Sequence, residues 1–102
     1  MKYMKQAKQS EIKEEIERIH DVAEKRGYYV NPNTKQLYSI ASCLVNNKKK
    51  YNTRFCPCKP QLMHQTKIIN GVKRYVSECP CIDLKNEIAQ NQRCCCNLYF
   101  SR

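Results

Sequence analysis

Seven of the eight cysteines in this 102-residue chain fall in three short clusters, Cys56-Pro57-Cys58, Cys79-Pro80-Cys81 and Cys94-Cys95-Cys96. Each cluster sets sulfurs at positions i and i+2, with 20 residues between the first and second and 12 between the second and third. Cysteines this dense in a small chain either cross-link as disulfides or bind metal and do thiol chemistry. Four thiolates in a tetrahedral set suit zinc or an iron–sulfur cluster. Structural zinc usually takes its sulfurs from C-x2–4-C pairs, because both must turn onto one ion about 2.3 Å away. In an extended C-x-C segment the two sulfurs share a face but stand well apart. A cluster is wider than one ion and accepts that divergence; alternatively, one sulfur of a pair binds while the other stays available for chemistry. The pattern favours an iron–sulfur site with a redox-active cysteine pair beside it over zinc.

The rest of the composition makes a metal staple reasonable. The chain has no Trp, two Phe and a mean hydropathy of −0.78, so apolar burial alone leaves a domain of this length marginal. The N-terminus, Met1-Lys2-Tyr3-Met4-Lys5-Gln6, lacks the apolar run of a secretory signal, and no stretch approaches transmembrane length. A cytoplasmic chain with no membrane partner is the expectation, and that compartment favours metal over a disulfide framework. The formal charge of +10 is scattered apart from Lys48-Lys49-Lys50. It fits compositional bias with a docking face for an acidic protein better than a nucleic-acid footprint, which would call for a dense basic stripe.

The elements that must carry the clusters are mostly helical. Ile12, Ile16, Ile19 and Ala23 recur at three- and four-residue steps, predicting an amphipathic helix over 10–26 capped by Ser10 and stopped by Gly27. Gly27-Tyr28-Tyr29-Val30 reads as an extended connector. A second helix, entered near Pro32 and running to about Asn47, buries Leu37, Ile40, Ala41 and Leu44. Cys43, at the edge of that stripe, reads as a small buried thiol. Asn70-Gly71 between β-rich arms over 67–76 predicts a hairpin. Asp83 caps a short helix to about Gln92 with Leu84 and Ile88 inward, and Leu98-Tyr99-Phe100 packs back beside the cysteines. His20 and His64 read as ordinary surface or packing residues.

With these flanks in view, the chain resembles the catalytic subunit of ferredoxin–thioredoxin reductase. That family carries C-P-C, C-P-C and C-H-C in this order. Gly27-Tyr28-Tyr29-Val30-Asn31-Pro32, Leu44-Val45-Asn46-Asn47, Tyr51 through Phe55-Cys56-Pro57-Cys58-Lys59-Pro60, Glu78-Cys79-Pro80-Cys81 and Cys96-Asn97-Leu98-Tyr99-Phe100 are similar to family segments. The resemblance implies one domain over 1–102, small and mainly α with a short β-hairpin, organised around a [4Fe-4S] cluster. Cys56, Cys79, Cys81 and Cys94 match the cluster ligands. Cys58 and Cys96 match the redox-active disulfide beside it, with Cys58 as the exposed attacking thiol.

The implied activity is that of an enzyme. It is a protein-disulfide reductase that takes electrons one at a time from ferredoxin or a similar low-potential donor and passes them to a thioredoxin-like protein. The family's plant form works with a second, non-catalytic subunit, which makes such a subunit a candidate partner. Two departures stand out: Cys95 replaces the family's His and reads as a tolerated substitution, and the hairpin reads as an insertion between clusters. The competing reading is a non-catalytic zinc or iron–sulfur module attached to nucleic acid, which lacks the aromatic and basic pattern such binding needs.

Overall fold

The amphipathic stripe of the first segment folds as expected. Helix α1 runs Gln9–Arg26 and buries Ile12, Glu15, Ile19 and Ala23. Lys8 rather than Ser10 stands at its cap, with the Lys8 N–H donating to Glu11 Oε1 at 2.9 Å; Ser10 lies inside the first turn. Gly27 ends the helix at φ 78°, a left-handed conformation that glycine adopts without a Cβ penalty. The computed structural model describes residues 8–58 and 60–102, so whether α1 reaches back through residues 1–7 lies outside them.

Tyr29–Val30 is more than a connector. It forms β1, which pairs antiparallel with β4 (Tyr99–Phe100), Tyr29 opposite Phe100 and Val30 opposite Tyr99. Helix α2 then runs Thr34–Tyr51, its Asn33 cap accepting the Gln36 N–H at 3.1 Å. It is longer than the sequence suggested. Nothing in Asn47-Lys48-Lys49-Lys50 breaks a helix, the lysines complement its C-terminal dipole, and the chain leaves only at Asn52, in left-handed conformation with φ 59°.

The buried face of α2 is Leu37, Ala41, Leu44 and Val45, with Ile40 half-buried. That face turns Cys43 outward, so the expected buried thiol is in fact exposed. The expected hairpin is β2 (Thr66–Ile69) and β3 (Val72–Tyr75), with Asn70 and Gly71 both at positive φ, as a type I′ turn requires. Helix α3 spans Leu84–Asn91 and buries Leu84 and Ile88; Asp83 stands at its cap without making a side-chain cap bond.

The core joins Ile12, Ile19 and Ala23 of α1 to Ala41 and Leu44 of α2, Leu84 and Ile88 of α3, and Leu98 and Tyr99 near β4. The described residues form a small compact domain of three α-helices and short antiparallel strands. Among the described residues, no helix is long and apolar enough to cross a membrane.

Candidate metal and redox centre

Each cysteine cluster sits on a loop that the helices hold by named hydrogen bonds. The first two loops lie side by side: the Cys56 N–H donates to Ser77 O at 2.7 Å and the Cys79 N–H to Arg54 O at 2.8 Å. Between these bonds Phe55 and Glu78 form an antiparallel bridge. Phe55 is fully buried, edge-on to Tyr75 and Tyr51 at ring distances of 5.2 and 5.6 Å, and Asn47 Nδ2 donates to its carbonyl at 2.7 Å. Aromatic packing and an amide from α2 thus fix where the first C-P-C emerges. The second C-P-C is held from both sides. Arg74 Nη2 of the hairpin donates to Pro80 O at 3.3 Å, and the Leu84 N–H at the start of α3 donates to Cys81 O at 3.1 Å.

The third cluster rides on a tight turn. The Cys94 N–H donates to Tyr99 O at 2.9 Å, and the Asn97 N–H to Cys94 O at 3.0 Å, with Asn97 at φ 60°. Buried Asn31, just after β1, clasps this turn. Its N–H donates to Leu98 O at 3.0 Å and its Nδ2 to Asn97 O at 2.8 Å, while its Oδ1 accepts the Asn33 N–H at 2.8 Å. From α3, Glu87 Oε1 accepts the Cys95 N–H at 3.2 Å.

The three loops converge. Cys56, Cys79, Cys81, Cys94, Cys95 and Cys96 line one narrow cavity, which Leu84 and Tyr99 complete. Cys56 Sγ lies 3.2 Å from Cys58 Sγ and 3.9 Å from Cys95 Sγ, and Cys94 Sγ lies 3.7 Å from Cys96 Sγ. The sulfurs of Cys56, Cys58 and Cys96 all fall within 4.8 Å of one another, close enough to share a metal. All six cysteines named from the sequence are therefore brought to one place, whereas Cys43 stands outside the cavity, on the outer groove.

The disulfide differs from the one the resemblance implies. It joins Cys58 to Cys95, while Cys96 stays a thiol. Cys95 and Cys96 are chain neighbours at the crest of one turn, so the Cys58 sulfur has both within its neighbourhood. Spacing could not have told them apart, because positions 95 and 96 reach the same loop. The bond lies on the outer side of the cavity, where Cys95 is exposed. Here a shallow groove of about 340 Å³ is lined by Ser39, Ile40 and Cys43 of α2 together with Pro57, Cys58, Cys95, Cys96 and Asn97.

The buried sulfurs sit in sharply different surroundings. Burial pushes the Cys79 thiol up to about 12, against the pull of the Arg18 guanidinium. A hydrogen bond with Cys96 holds Cys94 down at about 6 despite burial, helped by the Tyr99 and Leu98 N–H groups, each 3.2 Å from its sulfur. Cys96 is pushed up by its hydrogen bonds to Cys56 and Cys94 and by burial. A sulfur that accepts two backbone N–H bonds is prepared to be a thiolate ligand.

The donor set fits a thiolate-bound metal group of the iron–sulfur kind. No carboxylate or imidazole is among the residues lining the cavity. The buried Tyr99 hydroxyl has no hydrogen-bond partner among the described residues, and its proton is held on by burial and by nearby Cys79 and Cys94. An O–H so placed can donate to a sulfur.

The loops' positions also show what the sequence could not. Glu15 is buried and bridges Arg18 and Arg54, yet a stripe counted from apolar residues passes over it. No match was found among curated protein sequences. The family model described as the ferredoxin thioredoxin reductase catalytic beta chain matches residues 5–102, nearly the whole of the chain and all three cysteine clusters, and the chain therefore belongs to that family.

Proposed function

We propose that residues 1–102 act as one catalytic domain, a ferredoxin-dependent protein-disulfide reductase. The observation that carries this reading is the meeting of three C-x-C loops at one sulfur-lined cavity with a disulfide on its solvent side. Cys56, Cys79, Cys81 and Cys94 would hold a [4Fe-4S] cluster, and Cys58 and Cys96 are the redox pair. When bound, such a cluster supplies electrons singly at low potential. Around it, Cys94 offers a sulfur already held by two N–H groups, and Leu84 and Tyr99 keep water from the inner wall.

Cys58, on the outer groove, is the thiol that attacks a target disulfide, forming a mixed disulfide that a neighbouring cysteine resolves. The groove beside it is open enough for the extended segment of a thioredoxin-like partner. A ferredoxin or similar acidic donor, a second non-catalytic subunit and a cytoplasmic setting belong to the same reading, and nucleic acid does not.

Iron, sulfide and zinc analysis with a visible spectrum, on protein purified without oxygen, is the first test. About four irons per chain and a broad brown absorbance are expected. Stoichiometric zinc with failed cluster reconstitution would overturn the reading in favour of a structural metal module. Cys56→Ser is expected to lose the cluster. Cys58→Ser is expected to keep it and lose thioredoxin reduction, so turnover at the parental rate in that variant would remove Cys58 from its role.

A further inference from the structure

Cys95 has no part in the reading above, yet it carries the disulfide. Along this turn Cys94 is buried, Cys96 is half-buried and Cys95 is exposed, and both Cys95 and Cys96 line the inner cavity and the outer groove. Its backbone is pinned by Glu87 at 3.2 Å, so the outward placement is fixed by α3 rather than left to the turn. The Cys96 sulfur also lies within 4.8 Å of the Cys58 sulfur. One attacking sulfur therefore has two cysteines of the same turn in reach, one exposed and one half-buried.

The geometry points to Cys95 as a second resolving thiol, the more exposed of the two, which forms a disulfide with Cys58 and is then displaced by the more buried Cys96. This rests on Cys58 being the attacking thiol. In the reduced chain, the Cys58 sulfur attacks a target disulfide. A Cys58–target bond forms, the target S–S bond breaks, and the departing target sulfur takes up a proton. Cys95 then attacks the Cys58 sulfur. The Cys58–Cys95 bond forms and the target leaves as a dithiol, so the Cys58/Cys95 pair has lost two electrons and two protons and the target has gained them.

In a third exchange, Cys96 attacks the Cys58 sulfur, forming Cys58–Cys96 and releasing Cys95, which takes the proton that Cys96 gives up. No electron is gained or lost in that step. It moves the oxidised bond to the more buried of the two cysteines, the partner of Cys58 in the redox pair proposed above. With Cys95 present, a bulky target can be released without any motion of Cys96 away from Cys94, 3.7 Å distant.

The test uses the metal-loaded chain, reduced with dithiothreitol, desalted without oxygen and mixed with oxidised glutathione as the probe disulfide. Acid-quenched samples are read by intact mass and by fragmentation of linked peptides. In Cys96→Ser, the glutathione adduct on Cys58 is expected to appear, disappear and leave a Cys58–Cys95 link. In the double variant Cys95→Ser/Cys96→Ser the adduct is expected to persist. An adduct that persists equally in Cys96→Ser would overturn the proposal. Should Cys96→Ser fail to fold, the time course of the parental chain decides: a Cys58–Cys95 linked peptide that appears before Cys58–Cys96 supports the relay, and Cys58–Cys96 at every quench time with no Cys58–Cys95 sinks it. Iron content measured on the same samples reports separately on the proposed metal centre, since adduct discharge is a mass readout that needs no electron donor.

Discussion

Glu15 lies on the same face of α1 as Ile12 and Ile19 and is only 3 % exposed. Its Oε2 accepts from Arg18 Nη2 at 2.6 Å and its Oε1 from Arg54 Nε at 2.8 Å. Burial is the largest single effect on Arg18 and lowers its pKa, but the hydrogen bond and charge of Glu15, with Cys79 and Tyr99 nearby, together leave it raised. Because the Arg54 carbonyl holds the Cys79 N–H, this one carboxylate ties α1 to the second cysteine loop. Glu15→Ala leaves two partly buried guanidinium groups without their partner. A loss of roughly 2–4 kcal/mol is expected by urea denaturation, below the full cost of a buried pair because both arginines are about a third exposed. Faster loss of bound metal to a chelator should accompany it, and unchanged stability and metal retention would mean that the carboxylate does not anchor the loop. At this scale the sulfurs were legible because cysteine chemistry is written in residue type and spacing. The Glu15 bridge was hidden because periodicity registers apolar side chains and not a paired charge. The choice of Cys95 over Cys96 was hidden because adjacent residues on a turn face different ways only once the turn is built.

Among the elements, the turn carrying Cys94–Cys96 depends on a strand pair of two residues each and on one asparagine. Asn31 makes four hydrogen bonds here, one from its main chain and three from its side chain, the third side-chain bond being Nδ2 to Gln36 Oε1 at 2.8 Å. Asn31→Ala would strand the Asn97 carbonyl and the Asn33 N–H. An expected cost of roughly 2–3 kcal/mol follows from about 1 kcal/mol for each side-chain bond, read as a lowered thermal midpoint. Exchange of the Leu98 and Tyr99 amides should quicken with it, and protection equal to the parent would show that β4 holds the turn unaided. Asn33→Ala, which removes only the α2 cap, should cost about 1 kcal/mol and leave those amides protected. The three helices and the hairpin were legible, since each carries either a repeating stripe or an Asn-Gly turn. β1 and β4 were not: two residues cannot display an alternation, and their pairing joins segments about 70 positions apart. The overrun of α2 past Asn47 was missed for a simpler reason, that lysines end a helix favourably without stopping it.

For the molecule as a whole, the +10 charge is the property a partner meets first. Some of its cations are paired internally, Lys49 with Glu11 at 2.6 Å and Arg18 and Arg54 with Glu15, and the net charge already counts those acids. On the proposed function, this excess of positive charge attracts an acidic electron donor at long range. Its affinity for an acidic ferredoxin should fall on the order of tenfold between low and moderate salt, as the screening length shrinks from about 30 Å to about 8 Å. Calorimetry showing a salt-independent Kd would rule out electrostatic docking. Membership of the family was legible from the three clusters and their flanks, and the surface was not, because scattered charges acquire a face only through the fold.

The chain order of the paired segments bears on biosynthesis. The ribosome delivers α1, β1 and α2 first, but a nascent chain has no third cysteine cluster until position 94 emerges and no partner for β1 until position 99. The helical pair can form early, whereas the sulfur cavity closes last. On the iron–sulfur reading proposed above, metal loading is therefore a post-translational event on a nearly finished fold, and an iron-starved cell would accumulate helical chains whose thiols are open to oxidation.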